Sequence, residues 1–350
     1  MVPIPVFEGD LQISKILPET SGTLEALTDG SLSIQAGKIM EYVSIDLWAA
    51  NLEPIVQDLQ TWLAALEVRV AQTAARGGHM LVLPEFACAQ WLSFAPADMP
   101  KANTLGWLFE CGQIALDAIA LMSTNYGVSI LAGTIPFPAA PVNGIPAYFN
   151  RAWLMTPDGA RHSQDKLSLT PLETQGAGGI TVHGETINVI EWNGLRVAMI
   201  ICLDSEFTDL WSRLGTLNLD LVIIPAKTDM ITGHNRVFSC ARSRAIELQT
   251  VVCVLGAVGV PFGAAMTDTG VGGASVFTPC DVGVSLDGIH AAIAPQTAAM
   301  MTDHVLIAVD IPVGACRRLR NGLAEAEICP ALWHAGHLIV NDAASPKLVA

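Results

Sequence analysis

Cys202 ends the apolar run Leu195-Arg196-Val197-Ala198-Met199-Ile200-Ile201 and is followed at once by Leu203-Asp204-Ser205-Glu206-Phe207. A strand that stops at a cysteine and turns into a helix presents the sulfur at the sheet edge, beside unpaired helix N–H groups that favour a thiolate. A free thiol, with a pKa near ~8.5, needs a base or positive surroundings to attack at neutral pH. Two other residues offer these. Glu85 follows the short run Met80-Leu81-Val82-Leu83-Pro84 and can take the proton. Lys166 lies in Gln164-Asp165-Lys166-Leu167-Ser168-Leu169-Thr170-Pro171, where a fixed ammonium would stabilise the charge that gathers on the heteroatom of an attacked amide or nitrile carbon. The backbone N–H of Leu203 offers a second donor. Glutamate, lysine and cysteine in these settings fit base, oxyanion stabiliser and nucleophile. Taken singly they fit blander roles: a solvated carboxylate, a surface lysine, a small buried hydrophobe.

These motifs stand in longer company. Ile130-Leu131-Ala132-Gly133-Thr134-Ile135-Pro136, Phe149-Asn150-Arg151-Ala152 and Thr156-Pro157-Asp158-Gly159 precede the lysine. Leu221-Val222-Ile223-Ile224-Pro225-Ala226, Arg242-Ser243-Arg244-Ala245-Ile246-Glu247 and Gly273-Ala274-Ser275-Val276-Phe277-Thr278-Pro279 follow the cysteine. The ordered set resembles the nitrilase, or carbon-nitrogen hydrolase, superfamily from about Met40 to about Leu319. The resemblance implies an α/β fold, a four-layer α-β-β-α sandwich with two mixed β-sheets, which usually dimerises through a helix face. It implies a catalytic triad of Glu85, Lys166 and Cys202, with Glu173 as a second glutamate that holds the lysine or the substrate. It also implies a thioester intermediate formed without metal or organic cofactor. Leu203-Asp204 resembles the Tyr-Asp of the amidase and carbamoylase branches, where nitrilases generally have Trp-Glu. Gln164-Asp165 departs from the aromatic and arginine common before the lysine. The expected reaction converts a small amide or carbamoyl compound to a carboxylic acid and ammonia or an amine. Nitrile hydrolysis, or acyl transfer from the same thioester, is the alternative. Arg236, Arg242 and Arg244 are equally readable as carboxylate-binding or packing groups.

With 51% apolar and 15% charged residues, the chain can bury one large core. Mean hydropathy is positive, but the longest apolar stretch, Val251 to Met266, is short for a membrane span and is broken by Pro261 and glycines. No membrane association is expected, and the apolar excess is consistent with a homodimer or higher homo-oligomer. The net charge of −15 opposes nucleic-acid and anionic lipid partners. The eight cysteines form no Cys-x-x-Cys pair and suit reduced thiols, and the first residues lack a basic, then apolar, secretory leader. A cytoplasmic location is therefore expected. His334 and His337 lack further nearby ligands for a metal site.

The elements that must position these groups alternate. After an N-terminal extension (1–39), the domain (40–320) begins with a strand over 41–48 and a helix capped by Asn51 with Ile55, Val56, Leu59, Leu63 and Leu66 on one face. Gly77-Gly78 ends that helix. Further strands are expected over 80–83, 129–134, 187–192, 195–201, 219–224, 250–255, 274–277 and 305–310. Helices are expected over 116–126, after Cys202, where Glu206 falls in the first turn, and over 237–249. Asn193-Gly194 signals a tight hairpin. Loops at 87–100, 139–149 and 227–235, with Phe137, Trp91, Tyr148, Met230 and His234, could line a pocket. A tail (321–350) closes the chain.

Overall fold

The computed structural model describes residues 40–175, 180–263, 270–298 and 304–323. The extension (1–39), nearly all of the tail (321–350), Cys329, His334 and His337 lie outside the described residues.

Strands β1 (Val43–Ala49), β2 (Met80–Val82), β3 (Ser129–Val142), β4 (Ile145–Met155), β5 (Arg161–Asp165) and β6 (Ile180–Val182) join one sheet. In it Ile45, Leu47, Met80, Val82 and Leu131 turn to one core, while the alternating Trp48, Leu81, Leu83 and Ile130 turn to another. The second sheet holds β7 (Val189–Trp192), β8 (Leu195–Met199), β9 (Leu221–Ala226), β10 (Val251–Gly256), β11 (Gly272–Phe277) and β12 (Ile289–Gln296), adjacent in that order. Its central strands are covered on both faces, which is why Leu221-Val222-Ile223-Ile224 reads as an unbroken apolar run. A last strand, β13 (His304–Ile311), returns antiparallel to β1 at the edge of the first sheet.

Helices α1 (Leu59–Ala75) and α2 (Thr104–Tyr126) pack on the outer face of the first sheet through Trp62, Leu66, Leu116 and Ile119. The short helix α3 (Pro171–Gln175) follows β5, and α4 (Thr208–Leu214) and α5 (Ile231–Leu248) cover the second sheet through Trp211, Val237 and Ala241. The inner faces meet in one core that joins Ile45, Leu47 and Leu131 to Val197, Met199 and Cys253. Helix α6 (Val313–Arg318) follows β13. Parallel pairs at the centre of each sheet and antiparallel pairs at the flanks, β6 alone running parallel to β4, make both sheets mixed, completing the expected α-β-β-α layering.

Asn193 and Gly194 both take positive φ, 50° and 75°, and join β7 to β8 as the tight hairpin the dipeptide predicts. Helix α1 starts later than expected. Asp58 caps it by accepting the Thr61 N–H at 2.7 Å, whereas Asn51 accepts the Glu53 N–H and bridges to Val258. Pro54 lies between the two caps and Ile55 is exposed, so the apolar spacing there overstated the helix. β3 runs on through Pro136, Pro138 and Pro141, and the expected loop at 139–149 is a hairpin with β4. Prolines are tolerated because β2 pairs with β3 only at Ser129–Leu131, which leaves the far half open on that side. Segment Lys101–Tyr126, not Val251–Met266, is long and apolar enough to cross a membrane by length and composition; it packs against α1 and β3 instead. Strands β4, β5, β6 and β12 escaped the sequence reading, the last three because they show little apolar alternation.

Candidate active site

Glu85 lies just beyond β2, in a turn that Phe86 enters with φ 52°. The Phe86 N–H donates to Thr134 Oγ1 at 2.9 Å, and Gly133 lies so close that a Cβ there would stand 2.2 Å from Pro84 O. Gly133, itself at φ 73°, is therefore required for the turn to seat against β3. The outcome is a carboxylate only 2% exposed.

Lys166, immediately after β5, is equally buried. Its backbone N–H donates to Asn150 O at 2.9 Å and its carbonyl accepts from Gly184 N at 2.7 Å, which fixes the Cα. The ammonium donates to Glu85 Oε1 at 2.8 Å and to Glu173 Oε1 and Oε2 at 3.0 and 2.9 Å. Asn150 Nδ2 donates to the same two carboxylates, at 2.9 Å to Glu85 and 3.1 Å to Glu173. Two donors and two acceptors thus close a ring, and Asn150 keeps both glutamates from shifting independently. Burial alone would lower the Lys166 pKa, but Glu85, Cys202 and Glu173 together outweigh it and hold the ammonium above the ordinary lysine range. Glu173 runs the other way: burial opposes ionisation, yet Lys166, the Thr170 N–H and Asn150 keep its carboxyl below the usual range.

Glu173 reaches this ring through a capping box. Thr170 Oγ1 accepts the Glu173 N–H at 3.3 Å while Glu173 Oε2 accepts the Thr170 N–H at 2.8 Å, with Pro171 at the first helical position of α3. The Thr-x-x-Glu spacing carried that signal. Capping fixes the backbone, and the same carboxylate then serves Lys166.

Cys202 sits beyond β8 at φ 49°, a left-handed conformation costly for a side chain with a Cβ. A 3-10 helix, Cys202–Glu206, follows instead of the expected α-helix. Leu203 is in its first turn, where N–H groups lack intrahelical partners. Cys202 is 6% exposed; its sulfur lies 3.7 Å from Lys227 O and within hydrogen-bonding reach of the Glu85 side chain. Lys227 N donates to Glu85 Oε2 at 2.9 Å, so a single residue after β9 touches both the Glu85 carboxylate and the sulfur. Burial, then the charge of Glu85, pushes the thiol well above its normal pKa, only partly offset by Lys166 and the Lys227 contact.

Glu85, Lys166, Glu173 and Cys202 therefore converge from both sheets. Other expectations fall elsewhere. Glu206 ends the 3-10 helix and pairs with Arg236 at 3.0 Å, rather than opening α4. Arg242 donates to Asp287 O and Arg244 pairs with Glu247. Trp91 packs edge-on to Trp62 at 5.2 Å, and Phe137 carries the Arg151 guanidinium at 3.9 Å. His234 is buried against Phe238, while Met230 is exposed. Asn150, Thr134 and the Lys227 backbone went unassigned in the sequence reading. Alternation along β4 would have turned Asn150 inward; main-chain donors leave no residue-type signal. Among the described residues no cluster of three or more metal-ligating side chains occurs.

The carbon-nitrogen hydrolase family profile matches residues 35–320. An amidase from Nesterenkonia sp. superposes with a TM-score of 0.59 at 18% identity, over 85% of this chain and 98% of that one. A glutamate-to-glutamine variant of that amidase, with acrylamide added to its active-site cysteine, superposes with a TM-score of 0.58 at 19% identity, over 81% and 98%. A probable hydrolase of Bacillus subtilis, YhcX, is 26% identical over 208 residues, which is 59% of this chain and 39% of YhcX. The chain thus spans about two-fifths of that relative's length. On the match across most of its length, the chain belongs to the carbon-nitrogen hydrolase family.

Proposed function

We propose that this protein is a cysteine-dependent amidase that hydrolyses small, non-peptide amides through a thioester on Cys202. The observation that carries the reading is the Lys166 ammonium held between Glu85 and Glu173, with Glu85 and Cys202 tied to the same residue, Lys227. Because burial and Glu85 hold the thiol pKa up, attack and deprotonation are coupled. Glu85 accepts the sulfur proton as the S–C bond forms, and the carbonyl π pair moves to oxygen, where Lys166 and the Leu203 N–H receive it. Collapse breaks the C–N bond, and Glu85 returns the proton to the departing nitrogen. Water then attacks the thioester with Glu85 as base, releasing the acid and restoring the thiol. Glu173 and Asn150 hold Lys166 and Glu85 in place throughout.

The solved relatives support amides as the substrate class, since variants of the Nesterenkonia amidase were obtained with acrylamide and with butyramide. Self-association belongs to the same proposal, with exposed Phe207, Met230 and Ile231 at the starts of α4 and α5 available for it. So does a cytoplasmic site of action, where the thiols stay reduced. Matched amide and nitrile pairs, tested on one preparation for ammonia and acid, decide the chemistry. Primary amides should be converted much faster than the corresponding nitriles; preferential nitrile conversion would replace amidase by nitrilase, and ester or hydroxamate formation favoured over hydrolysis would make it an acyltransferase.

A further inference from the structure

Lys166 and Cys202 come from different sheets, and the apolar packing between those sheets is non-directional. Setting two groups within a fraction of an ångström takes directional bonds. Asp204 supplies them. Only 1% exposed, it stands two residues after Cys202 and accepts the N–H groups of Leu167 and Ser168, the residues just after Lys166. The Leu167 N–H reaches Oδ1 and Oδ2 at 3.2 and 3.1 Å, and the Ser168 N–H reaches Oδ1 at 2.6 Å. Successive N–H groups around one carboxylate form an anion-binding concavity built from the lysine loop itself.

We propose that Asp204 is a positioning residue that clamps the Lys166 loop onto the Cys202 turn, so that the ammonium and the Leu203 N–H meet the same substrate oxygen. The proposal rests on the catalytic reading of Lys166 and Cys202 given above. Burial lifts the Asp204 carboxyl to about 6, against the two N–H bonds and Lys166 that favour ionisation, so keeping it there has a cost that apolar packing would avoid. It also recasts Leu203-Asp204: the dipeptide distinguishes this chain from nitrilase-like sequences through the seating of a loop.

Acrylamide tests this on the full chain without knowledge of the natural substrate. The Cys202 sulfur bonds to its β-carbon, the alkene π pair shifts toward the carbonyl so that charge builds on the amide oxygen, and the thiol proton ends on the α-carbon. The rate of adduct formation at Cys202 is read by peptide mass for wild type, Asp204→Asn, Lys166→Arg and the double variant, with exposed Cys280 as internal control. Asparagine keeps the volume but turns an NH2 toward one N–H donor. Asp204→Asn and Lys166→Arg should each slow the Cys202 adduct about 10-fold or more, and the double variant should be no more than about 3-fold slower than the slower single one, because both changes act on one interaction. Cys280 labelling should not change. Should Asp204→Asn not fold, Ser168→Pro, which deletes one N–H donor and leaves the carboxylate, must slow Cys202 selectively. Wild-type labelling in the Asp204 variant, or slowing factors that multiply in the double variant, overturns the clamp. Absence of a Cys202 adduct in wild type, or an unaffected Lys166→Arg, overturns the catalytic reading beneath it.

Discussion

On the first-sheet side of the site, Glu85, Lys166, Glu173 and Asn150 are tied by hydrogen bonds of 2.8 to 3.1 Å. On the second-sheet side, the Cys202 sulfur lies 3.7 Å from the Lys227 carbonyl, reaches Glu85 as its one side-chain partner, and stands on a left-handed backbone. The difference follows the chemistry. In the proposed mechanism Glu85 and Lys166 must keep their places while charge moves, in keeping with their saturated, charge-assisted bonds. The sulfur must leave its resting contact to form a covalent bond, so it is held by its backbone and left weakly bonded at the side chain. Substitutions on the two sides should therefore fail differently: on the nucleophile side through chemistry alone, on the network side through chemistry and stability together.

The largest effect is expected at Cys202→Ala. Turnover should fall to background while the thermal midpoint stays near wild type, since a small, weakly bonded thiol is lost; residual turnover near wild type would move the nucleophile elsewhere. Lys166→Met should also stop the chemical step, and although methionine keeps much of the aliphatic volume, the fold should weaken. Two buried carboxylates lose their cation, so denaturant unfolding should register a loss of about 3–5 kcal/mol, the usual cost of breaking a buried pair. Equal stability of the two variants would erase the contrast between the sides.

Asn150→Leu comes next. It removes two bonds to charged acceptors, each worth about 1.5–3 kcal/mol, and should lower kcat by about 10-fold or more with a measurable stability loss. A kcat unchanged by this substitution would reduce Asn150 to a bystander. The smallest effect lies outside the ring, at His234, whose pKa burial lowers from 6.5 to about 4. Between those values the unfolded chain binds a proton that the folded chain refuses, so stability falls as pH drops from 6.5 toward 4, by at most ~1.4 kcal/mol per pH unit. His234→Leu should flatten that part of the stability profile; an unaltered slope would assign it to other groups.

Legibility in the sequence followed the same physics. Glu85 and Cys202 stood out because each follows a strand that apolar patterning reveals, whereas the strand before Lys166 shows no such pattern and the lysine was found by resemblance. Asn193-Gly194 named its own turn. Glu173 was found by resemblance, although Thr170 and its spacing to Glu173 record the capping box independently. Lys227 could not be found, because its contribution is a backbone N–H and a carbonyl. Asp204 was read as a branch marker, since its partners are two amides some 36 residues away whose proximity only the packed sheets create. The balance at the Cys202 thiol, where burial and Glu85 raise its pKa against Lys166, depends on the packed site and leaves no mark in the sequence.

The central claim is the acyl group on Cys202, and acid quenching of wild-type protein during turnover of a good amide substrate, followed by peptide mass analysis, tests it most directly. The account predicts the acyl group on the peptide bearing Cys202, released as a hydroxamate by hydroxylamine. Sustained turnover with that peptide unmodified, or with the acyl group on another residue, would contradict it.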